Sequence, residues 1–302
     1  MKKFLINILA FLIVGMLLGE IIARTMYLTS DIPRRTIDND HIQKYFPDQT
    51  GYWKGGDHSW SINKMGWPGE LPDSFDRLQL IIGDSFIENF MNPSHCHQSV
   101  FLKEKVPALN FMEAARSGVS LIEAMEISKQ LDTLRPENYF IYVKDEDFIE
   151  SIKEIKSLKD ITQVSLTDKK VVPGEMKAPG LKLVLYNWKF LYYLYNRFPL
   201  SRAGNAEEPI KQKETASSLN DQIPKLLKFI SDQYDITNKV LVFMPGTDPS
   251  IIEASKKAGF KTIELDDTGD KNWSFEYDSH WTCYGHERAA DQVANILNKS
   301  IH

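Results

Sequence analysis

Apolar and polar positions alternate in distinct rhythms along the chain. Lys2 and Lys3 precede an unbroken apolar run from Phe4 to Gly19, and after Glu20 the run resumes at Ile21–Ala23 and stops at Arg24. About 20 apolar residues are what a helix needs to cross a bilayer, so the pattern predicts a transmembrane helix in residues 1–25. A cleavable signal peptide has the same opening, but no small-x-small site follows Gly19. A buried soluble helix is the third reading of this run. Under the positive-inside tendency the two lysines stay cytoplasmic, which places everything after residue 25 in the periplasm or its equivalent.

Residues 26–76 have no regular period. Pro33, Pro47, Gly51, Gly55, Gly56 and Gly66 interrupt them, yet Tyr45, Phe46, Tyr52, Trp53, Trp60 and Trp67 are too apolar for a disordered linker. The stretch reads as an irregular arm with short strands, packed on a main domain. From residue 77 short apolar runs alternate with segments of helical spacing. Candidate strands are Leu78–Ile82, Ala108–Met112, Tyr139–Val143, Val240–Met244 and Lys261–Leu265. Candidate helices are Ser120–Leu134, with Ser120 as N-cap and Glu123 three residues on, then Asn220–Tyr234, Pro249–Ala258 and Gly285–Lys299. Strands separated by helices imply parallel crossovers, hence a doubly wound, mostly parallel α/β sheet in three layers over 77–302.

Residues 150–219 break that rhythm and read as an insertion, helical around Leu181–Arg197. Its lysines and its aromatics (Tyr186, Trp188, Phe190, Tyr192, Tyr193, Tyr195) suit a packed cap with a solvated face. They also suit an aromatic wall for a carbohydrate, or a contact with the membrane surface.

Composition narrows the classes. The 302 residues contain 36 Lys+Arg against 41 Asp+Glu, for a net charge of -5, which lacks the basic footprint of a dedicated nucleic-acid binder. With 2 cysteines the chain is no disulfide-rich scaffold and cannot build a four-cysteine zinc site alone. No cofactor and no metal are expected, and no protein partner is legible.

The candidate chemistry lies at the ends of these elements. The strand Leu78–Ile82 runs into Gly83-Asp84-Ser85, which puts a serine at the carboxyl edge of the sheet, where open α/β sheets place their sites. If a helix starts after Ser85, its N–H groups can stabilise an oxyanion. Asp278-Ser279-His280-Trp281-Thr282, followed by Gly285 and His286, supplies what a serine nucleophile needs: a base and a carboxylate to orient it. A nucleophile after the first strand and a base before the last helix resembles the SGNH (GDSL) hydrolase family across residues 77–302. Arg116-Ser117-Gly118 fits the family's second motif, a glycine whose N–H enters the oxyanion hole. The His-Trp step resembles the membrane-associated acetyltransferase and esterase members.

The resemblance implies a serine-dependent acyl-ester hydrolase or acyltransferase, with Ser85 as nucleophile, His280 as base and Asp278 as its orienter. Ser85 and Gly118 would be the oxyanion donors, and the substrate an acylated envelope polysaccharide or another acyl ester. The third motif departs from the family. Asp147 in Val143-Lys144-Asp145-Glu146-Asp147 fits the motif's acid, so Glu146 falls where an asparagine amide would donate. An ionised carboxylate there would repel the developing charge. Glu146 therefore turns away, or is held neutral, or the register is off by one, or catalysis is impaired, which keeps open a non-catalytic glycan-binding or assembly factor. Cys96 and Cys283 either bridge, join His95 or His97 in a metal site, or stay unpaired.

Overall fold

The computed structural model describes residues 1–198 and 212–301. Five parallel strands form the central sheet: β1 (Leu78–Gly83), β2 (Asn110–Ala115), β3 (Asn138–Val143), β4 (Lys239–Phe243) and β5 (Lys261–Glu264), in the order β5-β4-β3-β1-β2. All four pairings are parallel, as expected of strands that are apolar on both faces and joined through helices. The chain runs outward from β1 to β2 and then jumps back across β1 to β3. The carboxyl ends of these three strands therefore surround the switch point of the sheet.

Period-2 alternation sorts the strand residues into two cores. Leu80, Ile82, Met112, Tyr139, Ile141, Leu241 and Phe243 face α4 (Leu121–Leu131), α8 (Gln212–Gln233) and α9 (Pro249–Lys257). Ile81, Phe111, Phe140, Tyr142, Val242 and Ile263 face α3 (Gln98–Lys105) and α10 (Cys283–Ile301). Two helical layers around one sheet make the domain a doubly wound three-layer α/β structure. Ser120 caps α4 by accepting from the Glu123 N–H at 3.3 Å. The second strand lies two residues later than its apolar run suggests, because Glu113 is buried within it beside His97 and hides its end from a hydrophobicity reading.

The arm forms two antiparallel strand pairs, Arg35–Ile37 with Gln43–Tyr45 and Thr50–Tyr52 with Ser59–Ser61. It is part of the core: Ile42 and Trp67 join one main cluster, while Tyr45, Trp60 and Ile62 close over Phe90. The expected helix at Leu181–Arg197 is two helices, α6 (Pro179–Asn187) and α7 (Lys189–Arg197), broken at Trp188 in an extended conformation. Residues 199–211 of the insertion lie outside the described residues.

At the N-terminus, α1 (Lys2–Thr25) is long and apolar enough to cross a membrane. Its last turns pack on α6 and α7: Glu20 accepts the Phe190 N–H of α7 at 2.8 Å, and Arg24 donates to the carbonyl of Asn187 at the end of α6 at 2.6 Å.

Candidate active site

Gly83 ends β1, and Ser85 opens the short helix α2 (Ser85–Glu88). A Cβ on Gly83 would lie 2.5 Å from Ile87, so only glycine permits so tight a turn. Asp84 caps the turn, its carboxylate accepting the Phe86 N–H at 2.9 Å. Ser85 is thereby raised to the sheet edge, and its Oγ lies 2.8 Å from Nε2 of His280. The other ring nitrogen, Nδ1, bonds Asp278 Oδ1, which also accepts the His280 backbone N–H at 2.9 Å. Those two bonds, the backbone one first, hold the Asp278 carboxyl below the usual carboxylate range. An ionised Asp278 on Nδ1 selects the tautomer whose Nε2 is free to take a proton from Ser85.

The imidazole plane is fixed from the side. Phe86 stacks on His280 with ring centroids 4.6 Å apart, and Trp281 meets Phe86, Tyr142, Trp273 and His286 at their edges. The His280 loop is also tied to the segment after Ser85. Asn92 donates to the Trp281 carbonyl at 2.9 Å, Asn89 donates to the Cys96 carbonyl at 2.9 Å, and Cys96 is disulfide-bonded to Cys283. The pair thus takes the first of its three open readings. Both sulfurs are engaged with each other, so neither serves as a thiolate ligand beside His95 or His97.

Gly118 follows β2 with φ +81°, a left-handed conformation that favours glycine. Buried Arg116 shapes this turn. Its guanidinium bonds Glu123 at 2.6 Å, the Ser117 carbonyl at 2.6 Å and the Gln43 carbonyl of the arm at 3.3 Å. The Ser117 N–H donates to Glu88 at 2.7 Å, which joins the glycine turn to the helix that carries Ser85, and Tyr45 of the arm completes this link through its hydroxyl on Glu88. The motif named Arg116 and the aromatic pattern named Tyr45, but neither gave sign of their contacts or of Glu88, because their partners lie on three separate segments.

After β3, Asp147 accepts the Lys144 N–H at 2.8 Å and caps α5 (Asp145–Glu150). Burial, and Asp84 nearby, push the Asp147 carboxyl well above its ordinary range, and burial raises Asp84 as well. Lys144 stands between this pair and the site, with Nζ 3.9 Å from Asp84 and 4.9 Å from the centre of the Phe86 ring. Glu146 sits on the exposed first turn of α5, and its side chain has no hydrogen bond or ion pair among the described residues. It lines a second hollow with Phe86, Lys144, Ser279 and Trp281. The structure thus brings Ser85, His280 and Asp278 into one relay, and stations Gly118 and Glu146 on neighbouring turns of the same sheet edge.

None of the known family models matches the sequence, and none of the curated proteins does. Among solved structures the chain is similar to the psychrotrophic esterase EstA from Pseudoalteromonas sp., at 13% identity and TM-score 0.39 over 75% of this chain and 99% of that one. It is similar to TesA at 10% identity and TM-score 0.38, over 74% of this chain and 98% of that one. A GDSL-like lipase from Bacteroides thetaiotaomicron VPI-5482 aligns at 7% identity and TM-score 0.33, over 74% of this chain and 89% of that one. Along the carboxyl edge of this chain's own sheet, Ser85 follows β1, Gly118 follows β2, Asp147 follows β3, and the Asp278–His280 loop precedes α10.

Proposed function

We propose that the protein is a serine-dependent acyl-ester hydrolase or acyltransferase that acts on acylated glycans of the cell envelope. The observation that carries this reading is the relay Ser85 Oγ–His280 Nε2 at 2.8 Å with Asp278 on Nδ1. Ser85 Oγ attacks the ester carbonyl carbon while His280 Nε2 takes the hydroxyl proton. The carbonyl oxygen becomes an oxyanion held by the Ser85 and Gly118 N–H groups. Collapse breaks the bond to the alcohol oxygen, which leaves with the proton from His280, and an acyl-Ser85 remains. Water, or a sugar hydroxyl, then gives its proton to His280 and attacks the acyl carbon, and collapse breaks the bond to Ser85 Oγ, which takes that proton back from His280. The first acceptor makes the enzyme an esterase and the second an O-acetyltransferase.

The tether belongs to the same reading. α1 anchors the chain and the catalytic domain lies on the periplasmic or extracellular side, with the acylated glycan as substrate and no nucleic acid or cofactor involved. The position of Gly19 against the Phe190 ring of α7 supports a retained helix, because removal of a signal peptide after Gly19 would lose that contact. One observation favours a second reading, a non-catalytic glycan-binding or assembly factor: an exposed carboxylate at Glu146 in place of an amide donor. Incubation with p-nitrophenyl acetate and with a serine-reactive phosphonate separates the two. The enzyme releases nitrophenol and takes up the label, and Ser85→Ala abolishes both while the fold survives. Unchanged turnover in the alanine variant, or none in the native chain, would overturn the assignment.

A further inference from the structure

A cavity of about 700 Å³ lies between the arm, α6 and the turn that carries Gly118, within the size range of small-molecule sites. Its inner end is formed by Glu88 and Ser117. Glu88 closes the helix that begins at Ser85, and Ser117 immediately precedes Gly118, so the cavity opens beside the candidate oxyanion hole. Tyr45, Phe46, Phe90 and Leu183 supply apolar wall, and four cations line it: exposed Arg34 and half-buried Arg35 from the arm, Lys177 just before α6, and half-buried Lys182 within α6.

The charges on the walls do not cancel. Asp31 is bound to Lys189 at 2.6 Å and Asp160 faces Lys177 at 3.9 Å, while Glu88, which accepts from the Tyr45 hydroxyl and the Ser117 N–H, offsets only part of the charge of Arg35, leaving the lining with more cations than anions. Among the described residues neither Arg35 nor Lys182 has a carboxylate within ion-pair distance. The Arg35 guanidinium lies over the Tyr45 ring, 5.8 Å from its centre, and Lys182 is half-buried. Burial, and the like charges of Arg35, Lys177 and Arg116, make Lys182 a weaker base than an ordinary lysine despite Asp160. Two partly desolvated cations in an apolar-walled cavity are what a carboxylate or phosphate would neutralise.

We propose that this cavity is the subsite for an anionic group on the glycan ester, with Arg35 and Lys182 as the cations that hold it. The assignment rests on the acyl-ester reading above and narrows its substrate class to esters of acidic sugars, whose charge comes from a uronate carboxylate or a sugar phosphate. Arg35 and Lys182 are specificity-determining residues here, because they touch neither the ester carbon nor Ser85.

The test uses the full chain in detergent micelles. Acetate release is measured from O-acetylated methyl glucuronide, from an O-acetylated hexose phosphate and from neutral O-acetylated methyl glucoside. At least one acidic ester is turned over with a lower KM than the neutral one, and the better of the two identifies the source of the charge. Lys182→Gln, at a half-buried surface position, raises KM for that ester roughly tenfold, as loss of a charged hydrogen bond does, with kcat and the p-nitrophenyl acetate rate unchanged. Arg35→Gln acts in the same direction. Equal KM for acidic and neutral esters, or equal losses on both in the variants, would overturn the proposal. Titration calorimetry with unacetylated methyl glucuronide, hexose phosphate and methyl glucoside reads the subsite without turnover. Binding of an acidic sugar that Lys182→Gln abolishes supports the subsite even if the ester chemistry fails, and binding of neither acidic sugar refutes it.

Discussion

Two residues near the relay differ in how far the fold constrains them. Glu146 is exposed on α5, so Glu146→Asn should leave stability within about 0.5 kcal/mol. It should also raise ester turnover, because an amide replaces a carboxylate at the motif position and one oxyanion donor is worth up to about 10²–10³ in rate elsewhere. Paired melts and initial rates check both, and a fall in rate would mean that the motif is read in the wrong register. His286 is the opposite case. It is fully buried under Trp281, and burial first, then the charges of His97 and His280, push it down to about 3. Its folded state therefore refuses a proton that the unfolded chain accepts near 6.5. The stability this confers is present above about 6.5 and is lost as pH falls from there toward 3. Melting temperature followed across that window should fall in the native chain, and the slope should be shallower in His286→Gln.

At the scale of elements, the loop that carries Asp278 and His280 is held by the buried Trp281 among its rings and by the segments it is tied to. The Cys96–Cys283 bond joins residues 187 apart in sequence, at the start of α10 and just behind α2. Cross-links over long loops restrict the unfolded chain most, and losing one costs about 2–4 kcal/mol. Cys96→Ser should thus lower the denaturant midpoint by a corresponding amount. It should also slow phosphonate labelling of Ser85, since the covalent tie between the His280 loop and the segment after Ser85 would be gone. Labelling at the native rate in a destabilised variant would show that the bond serves stability alone.

For the whole molecule, the N-terminal helix and the arm are joined to the α/β core. α1 packs on α7, α6 lines the cavity, and the arm reaches Glu88 and Arg116. The full chain should fractionate with membranes at its unprocessed mass, and an intact-mass peak for a chain beginning after Gly19 would instead show a cleaved signal. A chain starting near Arg24 should stay in the soluble fraction, because it lacks the one helix among the described residues that is long and apolar enough to cross a membrane.

The elements and the order of the motifs were legible in the sequence alone, because each depends on local chemistry. A buried strand is a run of apolar residues, a cap is a serine before a helix, and a tight turn is a glycine such as Gly83. The glycine-aspartate-serine and aspartate-x-histidine motifs are short enough to be read without knowing their partners. Other features were decided only by tertiary structure, because they arise between residues far apart in the chain. Ser85 and His280 are separated by 195 positions, Asn92 and Trp281 by 189, and Arg24 and Asn187 by 163. No periodicity encodes such pairs, so the arm's grip on Glu88, the choice of disulfide for the two cysteines and the cavity at Arg35 and Lys182 emerge only when the layers pack. The break at Trp188 belongs with them: the apolar pattern runs through it, and Glu20, offering its carboxylate to the first N–H groups of α7, starts a new helix there.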